Sequence, residues 1–196
     1  MNKQLMATAL AAAAVIAAPA HATSVALAAD GGWNEFDVDS FLAQDFGNGW
    51  IDESNGSALN FTFTIAAGQV GTLTVVDGFN AGDTFTVTNF GNVLGATSSV
   101  PVADLTGAFL DDFDAALTDP AFSHGVFQLH AGTYSISGSL LQSVFDSDLG
   151  TDLDATDGAV RLSISAVPEA SSTALMFGGL AAIAMLARRR KSANNI

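Results

Sequence analysis

From Ala58 to Ile65 the chain alternates: Leu59, Phe61, Phe63 and Ile65 fall on one side, and Asn60, Thr62 and Thr64 on the other. GTLTVVDG follows with Leu73 and Val75 on one face, and DTFTVTNF repeats the pattern with Phe85 and Val87. GVFQLHAGTYSISGSLL predicts a hairpin turning at Ala131-Gly132, with Phe127, Leu129, Tyr134, Ile136 and Leu140 inward. AVRLSISA predicts a last strand with Val160, Leu162 and Ile164 inward. Period-two alternation rich in Phe, Thr, Val and Ile, broken by Gly, Asn and Asp, is the signature of strands. A solvated face on each strand predicts antiparallel pairing. One stretch breaks the period: LTGAFLDDFDAALTDPAF spaces Phe109, Phe113 and Leu117 four apart. Asp111, Asp112 and Asp114 lie on the other side and Pro120 stops the turn, so this stretch predicts one short amphipathic helix or ordered loop. The expected fold class is all-β: a single antiparallel β-sandwich, jelly-roll-like, with one short helix.

The two ends carry a different pattern. The first 22 residues read as a secretory signal peptide: Lys3 supplies a positive start, an apolar run follows from Leu5, and Pro19 breaks it. Ala20 and Ala22 are the small residues that a signal peptidase would read, with Ala26-Leu27-Ala28 a second cut site. At the other end, Thr173–Ala187 is uncharged, and 15 residues of helix span about 22 Å against the ~30 Å of a hydrocarbon core. Arg188, Arg189, Arg190 and Lys191 follow and would hold that end in the cytoplasm. The expected organisation is a signal peptide over 1–22, a β-rich extracytoplasmic domain over 23–166 and a terminal segment over 167–196 ending in a single apolar helix.

Val167-Pro168-Glu169, then the apolar run, then the arginine cluster, resembles the PEP-CTERM sorting signal. The usual motif is Pro-Glu-Pro, and position 170 here is Ala. The resemblance implies export in a Gram-negative bacterium that makes exopolysaccharide, transient residence in the inner membrane, and cutting by an exosortase. The mature protein would then pass to the cell envelope or the extracellular matrix, with signal peptidase and exosortase as its processing partners. A permanently anchored single-span envelope protein is the alternative. A second resemblance covers VDGFNAGDTFTVTNFGNVLGATSSV and DPAFSHGVFQLHAGTYSISGSL, which are similar to a recurring type of secreted PEP-CTERM protein. It implies a shared fold and brings no catalytic activity with it.

Charge narrows the partners. The chain has a formal net charge of −14, but between Thr23 and Ala166 nineteen acidic residues face a single base, Arg161, a net of −18. Such a domain repels nucleic acid and anionic lipid. It is compatible with divalent cations, basic partners or neutral polysaccharide. No cysteine is present, so no disulfide staples it.

Catalytic motifs are absent. There is no nucleophile elbow, no phosphate loop and no dinucleotide fingerprint. His124 and His130, six apart on an extended strand, would stand about 20 Å from each other, too far to share a metal ion. The acidic residues are too numerous to single out a hydrolytic pair, and the expectation is a non-enzymatic protein. The richest cluster is FDSDLGTDLDATDG, which offers Asp146, Asp148, Asp152, Asp154 and Asp157 as carboxylate ligands for Ca²⁺. It departs from the EF-hand pattern at Gly150 and Thr151, and a solvated acidic loop is the plainer expectation. A carbohydrate-binding module is the remaining alternative, with Trp33, Trp50 and Tyr134 as its stacking platforms.

Overall fold

A computed structural model describes residues 22–44, 47–167 and 183. The signal peptide apart from Ala22, and Pro168, Glu169, the apolar run apart from Ile183 and Arg188–Lys191 lie outside the described residues.

The elements are β1 (Thr23–Ala26), β2 (Asn34–Asp39), β3 (Ile51–Asp52), β4 (Ser57–Ile65), β5 (Gln69–Asp77), β6 (Phe79–Asn80), β7 (Thr84–Asn89) and β8 (Asn92–Ala96). After them come β9 (Phe109–Leu110), α1 (Phe113–Ala116), β10 (His124–Leu129), β11 (Gly132–Gln142), β12 (Phe145–Asp146), β13 (Thr151–Asp152) and β14 (Ala155–Ala166). The protein is mostly β, as the alternation predicts.

The main sheet runs β10-β5-β14-β2-β3-β4-β11-β7-β8, with β1 added beside β4. The short β3 joins two halves, one of β2, β14, β5 and β10 and the other of β4, β11, β7 and β8. The pairings nest along the chain: β2 with β14, β4 with β11, β5 with β10 and β7 with β8, all antiparallel. The added strand is the exception, since β1 pairs β4 in parallel. The free edges of the two halves meet at one end. There Ser98 N donates to His124 O over 2.7 Å, and His124 N donates to Ser98 Oγ. The sheet therefore folds over on itself and nearly closes.

The alternating residues fill the space between the halves. Leu59, Phe61, Phe63 and Ile65 from β4 meet Leu73 and Val75 from β5, Phe85 and Val87 from β7, and Val160 and Leu162 from β14. The expected hairpin at Ala131-Gly132 is corrected. β10 pairs with β5 and β11 pairs with β4 and β7, so the chain crosses from one half to the other at that point. Alternation is the same in a hairpin and in such a crossover, because the same side chains face the core either way.

A second apolar cluster covers the outer face of the β2-β14-β5 half. Val76, Ala81, Phe113, Ala116, Phe122 and Ala159 form it, with Trp33, Phe79, Leu110 and Leu117 packed around them. This explains why β5 is buried on both faces near its end. The helix is shorter than the spacing predicts: α1 is one turn, capped by Asp112, whose side chain accepts from the amides of Asp114 and Ala115. Phe109 is not on its face; it belongs to β9, which pairs with β6, and is largely exposed.

Candidate functional site: an acidic cleft at one end of the sheet

A concavity of about 280 Å³ opens where β2 ends and β14 begins. Asp37, Asp39, Glu53, Asn80, Thr156 and Asp157 supply its polar lining, and Leu42, Ile51 and Phe79 its apolar wall. No basic side chain lines it among the described residues. Register creates the key contact. Asp37 of β2 stands directly opposite Asp157 of β14, and their carboxyl groups hydrogen-bond. Burial pushes the Asp37 carboxyl up to about 8, helped by the hydrogen bond to Asp157, its charge, and the charge of Glu53.

A second carboxyl pair lies beneath, on the core side of the same strand ends. Asp77 and Asp83 are both fully buried. Asp77 Oδ2 accepts the amides of Gly82 and Asp83, while Oδ1 has no hydrogen-bonding partner among the described residues. Asp83 accepts the Val144 amide at 2.8 Å and the Thr156 hydroxyl at 2.7 Å. Burial raises Asp77 to about 9, with the charge of Asp83 adding to it and backbone amides opposing it. Burial also raises Asp83, to about 6, against the hydrogen bonds from Thr156 and Val144. Burial and the charge of Asp83 on Asp77 therefore disfavour ionising both members of the inner pair at once.

The five aspartates of the acidic run are not brought to one point. Asp146 and Asp152 sit on the small β12-β13 hairpin, where Asp146 Oδ1 is used by the amides of Asp148 and Leu149. Asp154 sits at φ 51° in the connection to β14, and its amide is held by Ser143 Oγ. Asp157 belongs to the cleft instead. Among the described residues no three His, Asp or Glu side chains group closely enough to hold a metal ion. The inner pair fits a cation poorly as well, since three of its four oxygens already accept protein donors.

The three aromatic candidates for sugar stacking are all occupied. Trp50 is 1% exposed and stacks on Phe36 with ring centroids 3.9 Å apart. Tyr134 stacks on Phe63 and donates to the His130 carbonyl. Trp33 has the Arg161 guanidinium 4.3 Å over its ring, and both donate to Asp114. His124 opens β10 and His130 follows it, at opposite ends of that strand.

Sequence reasoning missed the Asp37–Asp157 and Asp77–Asp83 pairs. Their signal was faint: Asp77 and Asp83 flank a Gly-rich turn, and Asp157 stands two residues before an apolar run. Only the strand register makes partners of them.

No family model matches the chain, and no curated protein matches it. Among solved structures it is similar to the pre-peptidase C-terminal domain of a collagenase from Bacillus anthracis, at 10% identity and a TM-score of 0.37, over 74% of this chain and 97% of that one. It is also similar to PliG from Aeromonas hydrophila, a periplasmic inhibitor of g-type lysozyme, at 14% identity and a TM-score of 0.33, over 74% and 97%. Both superpositions are loose, and neither bears on what this chain does.

Proposed function

We propose that this chain is an exported, non-enzymatic β-domain protein delivered by a C-terminal sorting signal, an exosortase substrate destined for the envelope or the exopolysaccharide matrix. The observation that carries the reading is the order of parts after the domain: Val167-Pro168-Glu169, an uncharged run, then Arg188–Lys191. The fold is consistent with that order. β14 ends at Ala166, and the Val167 amide donates to the Gly68 carbonyl, so the motif starts one residue beyond the last strand.

In this reading the chemistry is done to the protein. Pro168 and Glu169 are read by the processing enzyme, and Arg188, Arg189 and Arg190 fix the orientation. The domain is a jelly roll in its finer topology: the nested pairing of β2–β14, β4–β11, β5–β10 and β7–β8 over two four-stranded halves supports this. The carbohydrate-module alternative is weakened by the burial of Trp50 and the covered faces of Trp33 and Tyr134.

Mass spectrometry of the C-terminal peptide, from protein isolated in its native host, tests the proposal. A chain ending near Pro168-Glu169 without the arginine cluster is the expected result. A Pro168→Ala variant is expected to accumulate uncut. Recovery of the wild-type chain with Arg188–Ile196 still attached would replace this reading with that of a permanently anchored envelope protein.

A further inference from the structure

The strand ends around the acidic cleft hold their carboxyl groups in two layers. On the outer face, Asp37 and Asp157 stand in register across β2 and β14, with Glu53 and Asp39 lining the same cleft. On the core side, Asp77 and Asp83 are fully buried. The layers join through adjacent residues of β14, since Thr156 donates to Asp83 and Asp157 hydrogen-bonds Asp37.

We propose that the two pairs form a proton-held clasp: protonation within each pair holds β14 to β2 and steadies the turn after β5, and alkaline conditions that strip the protons prise these contacts apart. The argument is geometric. Like charges directly opposite on neighbouring strands repel, and two carboxylates sharing one site cannot both ionise cheaply. Among the described residues no basic side chain lines the cleft to relieve them. Arg161, the domain's one base, is engaged with Asp114 and Trp33 and does not line the cleft. Asp157 adds its negative charge to Asp83, and the hydrogen-bond donors facing the inner pair are the amides of Gly78, Gly82, Asp83 and Val144 and the Thr156 hydroxyl. They can stabilise one negative charge there.

The direction follows from linkage. Asp37, Asp77 and Asp83 are all raised above 3.8, so their contribution to stability is complete below about pH 4. It is lost as pH climbs through about 6 for Asp83, about 8 for Asp37 and about 9 for Asp77. Most surface carboxylates are already ionised at pH 6, so general repulsion changes little over that window. The loss begins near pH 4, and its continuation above pH 6, where ordinary carboxylates no longer titrate, is therefore the mark of the clasp.

Urea unfolding of the full chain at pH 6 and pH 9.5 tests this. The folding constant of wild type is expected to fall by about tenfold or more, a figure kept low because Asp37 is only half-buried. Asp37→Asn and Asp157→Asn each remove the second charge of the outer pair while keeping a hydrogen-bonding side chain. Each is expected to recover a substantial part of the fall and to exceed wild type in stability at pH 9.5. A wild-type midpoint that does not move, or variants that keep the whole fall, overturns the proposal. A ¹³C NMR titration of the wild-type aspartate carboxyls gives a second answer that needs no variant to fold. Two or more carboxyls titrating above pH 7 are expected, and titration of every aspartate below pH 5 overturns it.

Discussion

Trp50 is the residue on which both halves of the sheet converge. Its indole stacks on Phe36, meets Phe61 and Phe85 edge-on, and lies on the bare backbone of Gly138. A Cβ at Gly138 would come within 2.5 Å of Trp50 Cε2, and one at Gly158 would run into the Phe36 ring. The two glycines are flat seats for the two rings. Gly138→Ala should cost about 1–3 kcal/mol by overpacking, and Trp50→Ala about 3–5 kcal/mol by emptying the centre of the core. Both are read from urea midpoints at pH 6. A Trp50→Ala change that left stability intact would return that side chain to the surface and revive the sugar-stacking alternative. Little of this was legible in the sequence. Trp50 sits among Gly and Asn, a polar setting that marks a surface aromatic, and nothing local announces that Gly138, far along the chain, makes room for it. Leu73 and Val75 were legible because alternation reports one face. Val76 was not, because burial of the second face comes from Phe113 and Phe122, which lie outside the strand.

α1 shows how short local signals become structure. One turn of helix is not stable alone, since nucleation costs more than a single turn returns. Here Asp112 caps it by accepting from the amides of Asp114 and Ala115, and Phe113 and Ala116 are buried against β5 and β14. Asp112→Ala should cost about 1 kcal/mol, seen as faster amide exchange at Asp114 and Ala115 with the main sheet unchanged. Loss of protection across β5 and β14 together would mean that the outer cluster and the main core unfold as one unit. At this scale the sequence was informative about which residues pair into strands and silent about which strands pair with each other. β4, β5, β7, β10, β11 and β14 all stand where alternation placed them. The link at His130-Ala131 was open to two geometries, and long-range register decided it. Register cannot be read from either segment alone.

At the scale of the molecule, an acidic domain with one arginine has to hold its shape against its own field. It does so partly by spending carboxylates on its own backbone. Asp146 is bound to the amides of Asp148 and Leu149, Asp104 to Thr106, Asp52 to Ser54 and Asp39 to Phe41 and Leu42. Asp104 sits at about 2 because the Ser147 and Thr106 side chains hydrogen-bond its anion. Counting acids in FDSDLGTDLDATDG therefore overstates what is free to bind a cation, since composition cannot show which oxygens the backbone already uses. The resulting prediction separates screening from coordination. Added Ca²⁺ should raise the Tm of the full chain by no more than Mg²⁺ does at the same ionic strength, because both would act by weakening repulsion among exposed carboxylates. A Ca²⁺-specific rise of about 4 °C or more, about 1 kcal/mol in a domain of this size, would instead require Asp146 to release the amides of Asp148 and Leu149 and to close on the ion with Asp148, Asp152 and Asp154. Repeating the titration with Asp148→Asn and Asp152→Asn would then decide whether those exposed carboxylates form the site, since a diffuse effect would survive both substitutions and a coordinated ion would not.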